Sequence, residues 1–103
     1  MTHFMKLRPL PFSQIQAGTK TVELRLNDEK RRLIQVGDSI TFTQTETGEK
    51  LTVHVTSLHP FPSFEALFAQ LGTECCGGPV DMRVYYPAAE QRRLGVLGIG
   101  ITL

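Results

Sequence analysis

The sequence lacks the features that define several protein classes. Its 103 residues include no Trp, only two Tyr and only two Cys. No apolar run approaches the roughly 20 residues that a membrane-spanning helix needs. The first residues show neither the basic region nor the apolar stretch of a secretory signal. We therefore expect a cytoplasmic protein with no membrane span.

The two cysteines, Cys75 and Cys76, are adjacent in the chain. Neighbouring cysteines cannot link distant segments, and no further cysteines are present to complete a zinc site. The histidines His3, His54 and His59 are not spaced with Cys, Asp or Glu as metal ligands are. We expect free thiols, no metal and no cofactor, with a redox role for the cysteine pair as the alternative.

The composition is that of one globular domain spanning residues 1–103, because 41% of the residues are apolar and six are Phe. The net charge is only +1, but it is unevenly distributed. Residues 1–36 carry seven Lys or Arg and three acids, whereas residues 37–103 carry four Lys or Arg and seven acids. Such a bipolar chain suits a phosphate-bearing partner at one face, although ordinary solvated charges give the same pattern.

Alternating apolar residues predict five strands. They cover His3–Arg8, Thr21–Leu26, Ser39–Thr43, Leu51–Ser57 and Leu94–Leu103. A polar segment containing Gly separates the third strand from the fourth, which predicts a hairpin. The prolines of His59–Pro62 are expected to end the fourth strand. In the last strand Gly98 and Gly100 share one face, so a neighbouring element should pack closely against the backbone.

The helical segments are short. They comprise a helix from Pro11 to Ala17 before Gly18, a charged turn over 28–33 capped by Asn27, a helix capped by Ser63 with Phe64, Leu67, Phe68 and Leu71 buried, and helical turns over Val80–Tyr86 and Pro87–Arg93. Strands with helices inserted between them predict an α+β fold. We expect a small mixed β-barrel of about five strands with short helices covering one side. A βαβ nucleotide fold is disfavoured because no glycine-rich loop joins a strand to a long helix.

The segment from Gly18 to Arg25 carries the strongest candidate site. Lys20 lies at a helix-to-strand junction, and Glu23 and Arg25 project from one strand face about 7 Å apart. On an open surface these residues would form an ion pair of little consequence. In a concavity, Arg25 would hold a phosphate or carbonyl, Glu23 would accept from an exocyclic amine, and a desolvated Lys20 would act as a base. The spacing alone leaves both possibilities open.

Several segments, in order along the chain, resemble the ASCH domain family, which is similar to the PUA fold of RNA-modifying proteins. They are Met5–Pro9, Gly18-x-Lys20-x-x-Glu23-x-Arg25, Val36-Gly37-Asp38, Met82–Tyr86 and Leu94–Ile101. The resemblance implies a cleft that holds RNA or a nucleotide against Lys20, Glu23 and Arg25. It also implies that Tyr85 or Tyr86 stacks on a base and that Arg8 contacts a phosphate. Core packing is the alternative role of the two tyrosines.

The resemblance also implies two possible enzymatic activities. One ASCH branch hydrolyses the acetyl amide of N4-acetylcytidine with a Thr nucleophile and the motif Lys as base. Glu23 stands at that nucleophile position here, so Thr21 would have to substitute for it, or Glu23 would have to activate a water. The acidic partner of this branch falls near Glu74. Another branch is credited with cutting RNA, in which a Lys, Glu and Arg cluster would stabilise phosphorane charge.

The leading functional prediction is therefore a binding domain for a nucleotide or a short single-stranded RNA. An N4-acetylcytidine amidohydrolase or a ribonuclease is the alternative. Protein interaction through Phe61–Leu71 is a third possibility, disfavoured because its apolar stripe suits the core. Nothing in the sequence specifies an oligomeric state. The prediction depends on the Lys20, Glu23 and Arg25 side chains meeting in a sheltered hollow.

Overall fold

The structure, a computed structural model, describes residues 1–103 and contains one five-stranded sheet and three α-helices. The strands are Thr2–Leu7 (β1), Val22–Leu26 (β2), Ser39–Gln44 (β3), Lys50–Phe61 (β4) and Val96–Thr102 (β5). The helices are Pro9–Gln16 (α1), Phe64–Leu71 (α2) and Ala88–Leu94 (α3), and short 3-10 turns form at Arg31–Leu33, Glu74–Cys76 and Met82–Val84. None of these helices has the length and apolar character required to cross a membrane.

The sheet is curled so that its two edge strands approach each other. The strand order is β1-β3-β4-β5-β2, with β1 parallel to β3 and every other pair antiparallel. Arg25 Nη2 on β2 donates to the Lys6 carbonyl oxygen on β1 at 2.7 Å. Lys30 Nζ donates to the Phe4 carbonyl oxygen at 3.4 Å. These side chains donate to backbone oxygens that an open sheet edge leaves unpaired. The predicted mixed α+β barrel is confirmed as a half-barrel.

Two apolar clusters lie on opposite sides of β5. Ile99 and Ile101 belong to the cluster that fills the half-barrel, whereas Val96 belongs to the cluster beneath α2. On β2, Val22 and Leu24 pack in the cluster beneath α2. Because side chains alternate along a strand, the intervening residues of β2 face the other way, toward β1 and α1. The polar face of β2 therefore lies on the same side of the sheet as Leu97 and Ile99.

The predicted close packing on the β5 glycines is confirmed. A Cβ at Gly98 would lie 3.1 Å from Leu67 Cδ1 on α2 and 3.2 Å from Val22 Cγ1 on β2. A Cβ at Gly100 would overlap the Ser57 hydroxyl oxygen on β4. A side chain at Gly100 would therefore have to displace the Ser57 hydroxyl, and one at Gly98 would have to push Leu67 and Val22 aside by a few tenths of an ångström.

The prediction that His59–Pro62 ends the fourth strand is wrong, because β4 continues to Phe61. The pairing of β3 with β4 covers only residues 50–54 of β4, and residues 57–61 pair with β5 alone. Pro60 lies opposite Leu97 in a stretch where β4 has no second partner strand. The backbone N–H that proline lacks is therefore not required for strand pairing on that side. An irregularity between Val55 and Ser57 accompanies the change of neighbours.

The helical turn predicted over Val80–Tyr86 is confirmed only at Met82–Val84, which forms a 3-10 turn. The Asp81 side chain accepts from the Arg83 backbone N–H at 3.0 Å. This bond caps the start of the 3-10 turn. The rest of the segment between α2 and α3 is irregular apart from the short turn at Glu74–Cys76.

Two predicted helix starts need correction, whereas the predicted cap of α2 is confirmed. The first helix begins at Pro9 rather than Pro11, because a proline fits the first helical position, where no N–H is needed. Asn27 does not cap the charged turn; Asp28 Oδ1 accepts from the Arg31 N–H at 3.0 Å instead. Ser63 caps α2 as predicted, with its hydroxyl accepting from the Ala66 N–H at 3.1 Å.

The predicted turn before β3 is held by Asp38, which also ties it to β1. Its carboxylate accepts from the Gln35 N–H at 3.0 Å and lies 2.8 Å from His3 Nε2. The hydrogen bond with His3, followed by that from Gln35, lowers the pKa of Asp38 to about 2. This contact ties the parallel start of β1 to that of β3, where Thr2 pairs with Ser39.

Candidate functional site

A cavity of about 340 Å³ opens between β1, α1, β2 and the loop over residues 76–86. This volume lies at the lower end of the range of small-molecule sites, ~300–1,000 Å³. We call its charged end the floor; it consists of Lys20, Glu23 and Arg25. Apolar walls include Leu10 on α1 and Met82 in the loop. The structure thus places all three charged residues of the motif in one hollow.

The end of α1 positions Lys20. Gly18 takes a φ of +80°, a left-handed conformation that glycine adopts without strain. The backbone N–H groups of Thr19 and Lys20 then donate to the Gln14 carbonyl oxygen at 3.0 and 3.1 Å. The chain turns directly into β2, so Lys20 projects into the cavity from the junction.

The segment after α2 shelters the floor. The Thr21 N–H donates to the Cys75 carbonyl oxygen at 2.8 Å, which ties this segment to the start of β2. Gly77 has a φ of +99°, and a Cβ there would lie 2.7 Å from Gln14 Oε1 and 3.3 Å from Lys20 Cδ. Glycine therefore allows the backbone to pass close over the lysine stem. Lys20 is only 8% exposed as a result.

Glu23 is the centre of the floor and is 3% exposed. Its Oε1 accepts from Lys20 Nζ and from the Leu24 N–H, both at 3.0 Å. Its Oε2 accepts from Arg25 Nη2 at 3.0 Å and from Arg25 Nε at 3.3 Å. The second Nη2 hydrogen reaches the Lys6 carbonyl oxygen. Both carboxylate oxygens thus have two donors each.

The electrostatics keep Glu23 ionised. Burial by itself raises the pKa of Glu23, but the charges of Lys20 and Arg25 and the hydrogen bonds from Lys20 and Leu24 oppose it. Their combined effect lowers the pKa of Glu23 below its ordinary value of 4.5. Two cations and one carboxylate leave the buried network with a net charge of +1.

The groups left for a ligand are donors. An ammonium carries three N–H donors, and Lys20 directs only one of them to Glu23. Arg25 Nη1 makes no hydrogen bond within the chain, whereas Nε and Nη2 are engaged. The floor can therefore take an acceptor such as a phosphate or carbonyl oxygen. An exocyclic amine would have to displace one of the donors already bound to Glu23.

Arg8, Tyr85 and Tyr86 lie at the opening of the same cavity. The Arg8 guanidinium carbon lies 5.2 Å from the centroid of the Tyr85 ring, a cation–π contact, and Tyr85 is 46% exposed. The Tyr86 ring stacks on Phe64 at 5.8 Å between centroids. Tyr85 is thus available to a ligand, and Tyr86 both packs on the core and lines the cavity.

Comparison with known proteins identifies the family. The model of the ASCH domain matches residues 5–103. The chain belongs to the ASCH domain family. A comparison with curated proteins gives no match.

Solved structures share this fold over nearly the whole chain. The hypothetical protein PH0355, known from a crystal structure, is 33% identical with a TM-score of 0.87, over 99% of this chain and 98% of that one. Protein PF0455 from Pyrococcus furiosus, known from an NMR structure, is 31% identical with a TM-score of 0.77, over 99% of this chain and 96% of that one. An ASCH protein from Zymomonas mobilis is 17% identical with a TM-score of 0.75, over 99% of this chain and 67% of that one, a likeness of fold alone.

Two candidate residues lie outside the cavity of this ASCH domain. Thr21 precedes β2 with its side chain exposed, and Glu74 is exposed in the 3-10 turn after α2. Neither contributes to the cavity lining. Thr21 therefore does not share the shelter of Glu23, although the alternation of the strand places both on one side.

Sequence reasoning missed the backbone groups that complete the floor. The Leu24 N–H and the Lys6 carbonyl oxygen hold Glu23 and Arg25 in place. No residue type signals such a backbone contact. Cys76 also lines the cavity of the ASCH domain, and only its neighbour Gly77, placed in a glycine pair, hinted at close packing there.

Cys76 is expected to resist thiol reagents. Its burial, and then the adjacent Cys75 thiol at 3.8 Å between sulfur atoms, raise the pKa of Cys76 to about 12. The thiol therefore stays protonated at neutral pH, and a protonated thiol is a poor nucleophile. Iodoacetamide at pH 8 should label the half-buried Cys75 at least about tenfold faster than Cys76, as read from the fragment-ion masses of the peptide that contains both.

Unfolding in urea is the control for this labelling, since both thiols should then react at similar rates. Equal labelling rates in the folded ASCH domain would contradict the burial of Cys76.

Proposed function

We propose that this ASCH domain binds a nucleotide, or one unpaired nucleotide of an RNA, with a phosphate at the floor and the base at the mouth. The observation that carries the proposal is the buried network of Lys20, Glu23 and Arg25, whose unused groups are all donors. Similarity of the ASCH family to the PUA fold of RNA-modifying proteins supports a ligand of this class.

Charge balance favours a phosphate over a neutral base at the floor. The network has a net charge of +1 in a site where the side chains of Lys20 and Glu23 are 9% and 4% exposed. A buried charge is costly unless a partner of opposite sign neutralises it. A phosphate oxygen can accept from Lys20 Nζ and from Arg25 Nη1, and it supplies that negative charge.

The base then lies near the mouth. Tyr85 offers a partly exposed ring there, and the Arg8 guanidinium makes a cation–π contact with that ring. Stacking on an aromatic face tolerates any base and stabilises binding by about 1–3 kcal/mol per base. The proposed site therefore recognises the phosphate by charge and the base by stacking, which suits an unpaired nucleotide.

The geometry supports hydrolysis less well. Both Glu23 oxygens are occupied, so no acceptor is left to activate a water. Lys20 donates to Glu23, which is the opposite of a base's role. Deacetylation of N4-acetylcytidine that disappears in Lys20→Ala, or RNA cleavage that disappears in Glu23→Gln, would show that turnover occurs after all.

Cytidine 5′-monophosphate should bind at least about tenfold more tightly than cytidine, because charge-assisted hydrogen bonds contribute roughly 1.5–3 kcal/mol each. The measurement is a titration followed by amide NMR shifts, which should move at Lys20 and Leu24. Affinity for the nucleotide should fall as salt is raised, whereas affinity for the nucleoside should not.

The matched control is Arg93→Ala, which removes an exposed arginine of α3 outside the cavity and should leave both affinities unchanged. Equal affinity for cytidine and its monophosphate would overturn the placement of the phosphate. Absence of shifts near Lys20 with either ligand at millimolar concentration would overturn the proposed function itself.

A further inference from the structure

A second cavity of about 510 Å³ adjoins the first. It lies between α2, α3 and the loop over residues 80–83. Val80 and Met82 line both cavities, so a single stretch of loop separates them. Val80 and Met82 therefore lie at the boundary between the two cavities.

A row of aromatic rings connects the two cavities. Tyr86 in the first cavity stacks on Phe64 at 5.8 Å, and Phe64 stacks on Phe68 at 6.4 Å. Phe64 and Phe68 line the second cavity. Phe64 is only 2% exposed and serves as packing, whereas Phe68 is half-buried and keeps part of its surface open. Phe68 therefore offers a second apolar surface of the kind on which a base stacks.

The second cavity also carries a cation without an internal partner. Arg92 on α3 is exposed and forms no ion pair within the chain. Arg83 is paired with Asp81 through contacts of 3.0 and 3.1 Å, which neutralises that carboxylate. Glu65 is the remaining charge of the lining. Arg92 is thus the group of this cavity best able to receive a phosphate.

We infer that the second cavity receives the next nucleotide of a single strand whose first nucleotide occupies the first cavity. The second base contacts Phe68, the linking phosphate crosses at Val80 and Met82, and Arg92 contacts the phosphate beyond. This inference rests on the proposed function. It specifies that the ligand class is a single-stranded oligonucleotide rather than a free nucleotide.

The test compares cytidine 5′-monophosphate with the 5′-phosphorylated cytidine dinucleotide pCpC and trinucleotide pCpCpC on the full chain. One additional stacked base predicts about a fivefold or greater gain in affinity from monophosphate to dinucleotide. Ala88→Trp, at an exposed position of α3 that lines the second cavity, should fill it and abolish that gain. The affinity for the monophosphate should not change.

Arg92→Ala should weaken binding of pCpCpC and reduce the dependence of its log affinity on log salt concentration by about 0.7, the value for one phosphate contact on a single strand. Arg93→Ala is the matched control, because its side chain is paired with Glu90 and lines neither cavity. Thermal unfolding of each variant shows whether the fold is intact.

The outcomes separate the two proposals. A dinucleotide that binds no better than the monophosphate, or a gain that survives in Ala88→Trp, overturns the second site while the first stands. Failure of the monophosphate to bind the wild-type chain overturns the proposed function and the second site with it.

Discussion

Replacing Glu23 by Gln is expected to lower the free energy of unfolding by about 3–5 kcal/mol. The substitution leaves the charges of Lys20 and Arg25 buried without the carboxylate that neutralises them. Removing one partner of a buried ion pair is costly because the other keeps its desolvation penalty without compensation. Urea unfolding followed by circular dichroism measures the difference.

Glu29→Gln is the matched control, since Glu29 is exposed and should change the unfolding free energy by less than about 0.5 kcal/mol. Combining Lys20→Met with Glu23→Leu should recover part of the loss, because Arg25 is then the only cation left without the carboxylate. A Glu23→Gln variant as stable as the wild type would show that the two cations do not depend on this carboxylate.

The same residue gives the wild type a specific acid sensitivity. The pKa of Glu23 is lower in the folded chain than its ordinary value of 4.5. The unfolded state therefore binds the proton first as the pH falls, and folding stability decreases. The contribution of Glu23 is fully present above about pH 4.5 and is lost as the pH falls through the folded pKa. Glu23→Gln should lack this part of the pH dependence.

Replacing Arg25 by Ala is expected to weaken binding of cytidine 5′-monophosphate about a hundredfold, the effect of losing a charge-assisted hydrogen bond near the upper end of its usual strength. Arg25 uses Nε and Nη2 within the protein and leaves Nη1 toward the cavity. Calorimetry at fixed salt measures the change. Amide NMR spectra verify that the variant is folded.

Arg25→Lys should recover only a small part of this loss. An ammonium restores the positive charge, but it cannot hold Glu23, the Lys6 carbonyl oxygen and a ligand in the planar fork that a guanidinium provides. Arg93→Ala again serves as the control for removal of a cation. Wild-type affinity in Arg25→Ala would mean that the phosphate binds elsewhere.

Much of the architecture follows from local patterns. Strict alternation predicted β2, β3 and β5, because one face of each strand must be apolar to pack. The Ser63 cap with its apolar stripe predicted α2, and Gly98 and Gly100 predicted close packing on β5. Predictions failed where local and tertiary preferences compete. Pro60 remains in a strand because that part of β4 has no second partner strand, and helical structure within Val80–Tyr86 is limited to the 3-10 turn that Asp81 caps.

The sequence by itself determined which side chains share the face of β2, since the spacing of Glu23 and Arg25 places both on one side of any strand. Only the tertiary structure decided that this face lies in a cavity. The segment from Cys75 to Gly77 folds over Lys20, and the curl of the sheet brings the Lys6 carbonyl oxygen of β1 to Arg25. The physical reason is that burial and charge pairing depend on contacts between segments distant in the chain, which no local pattern records.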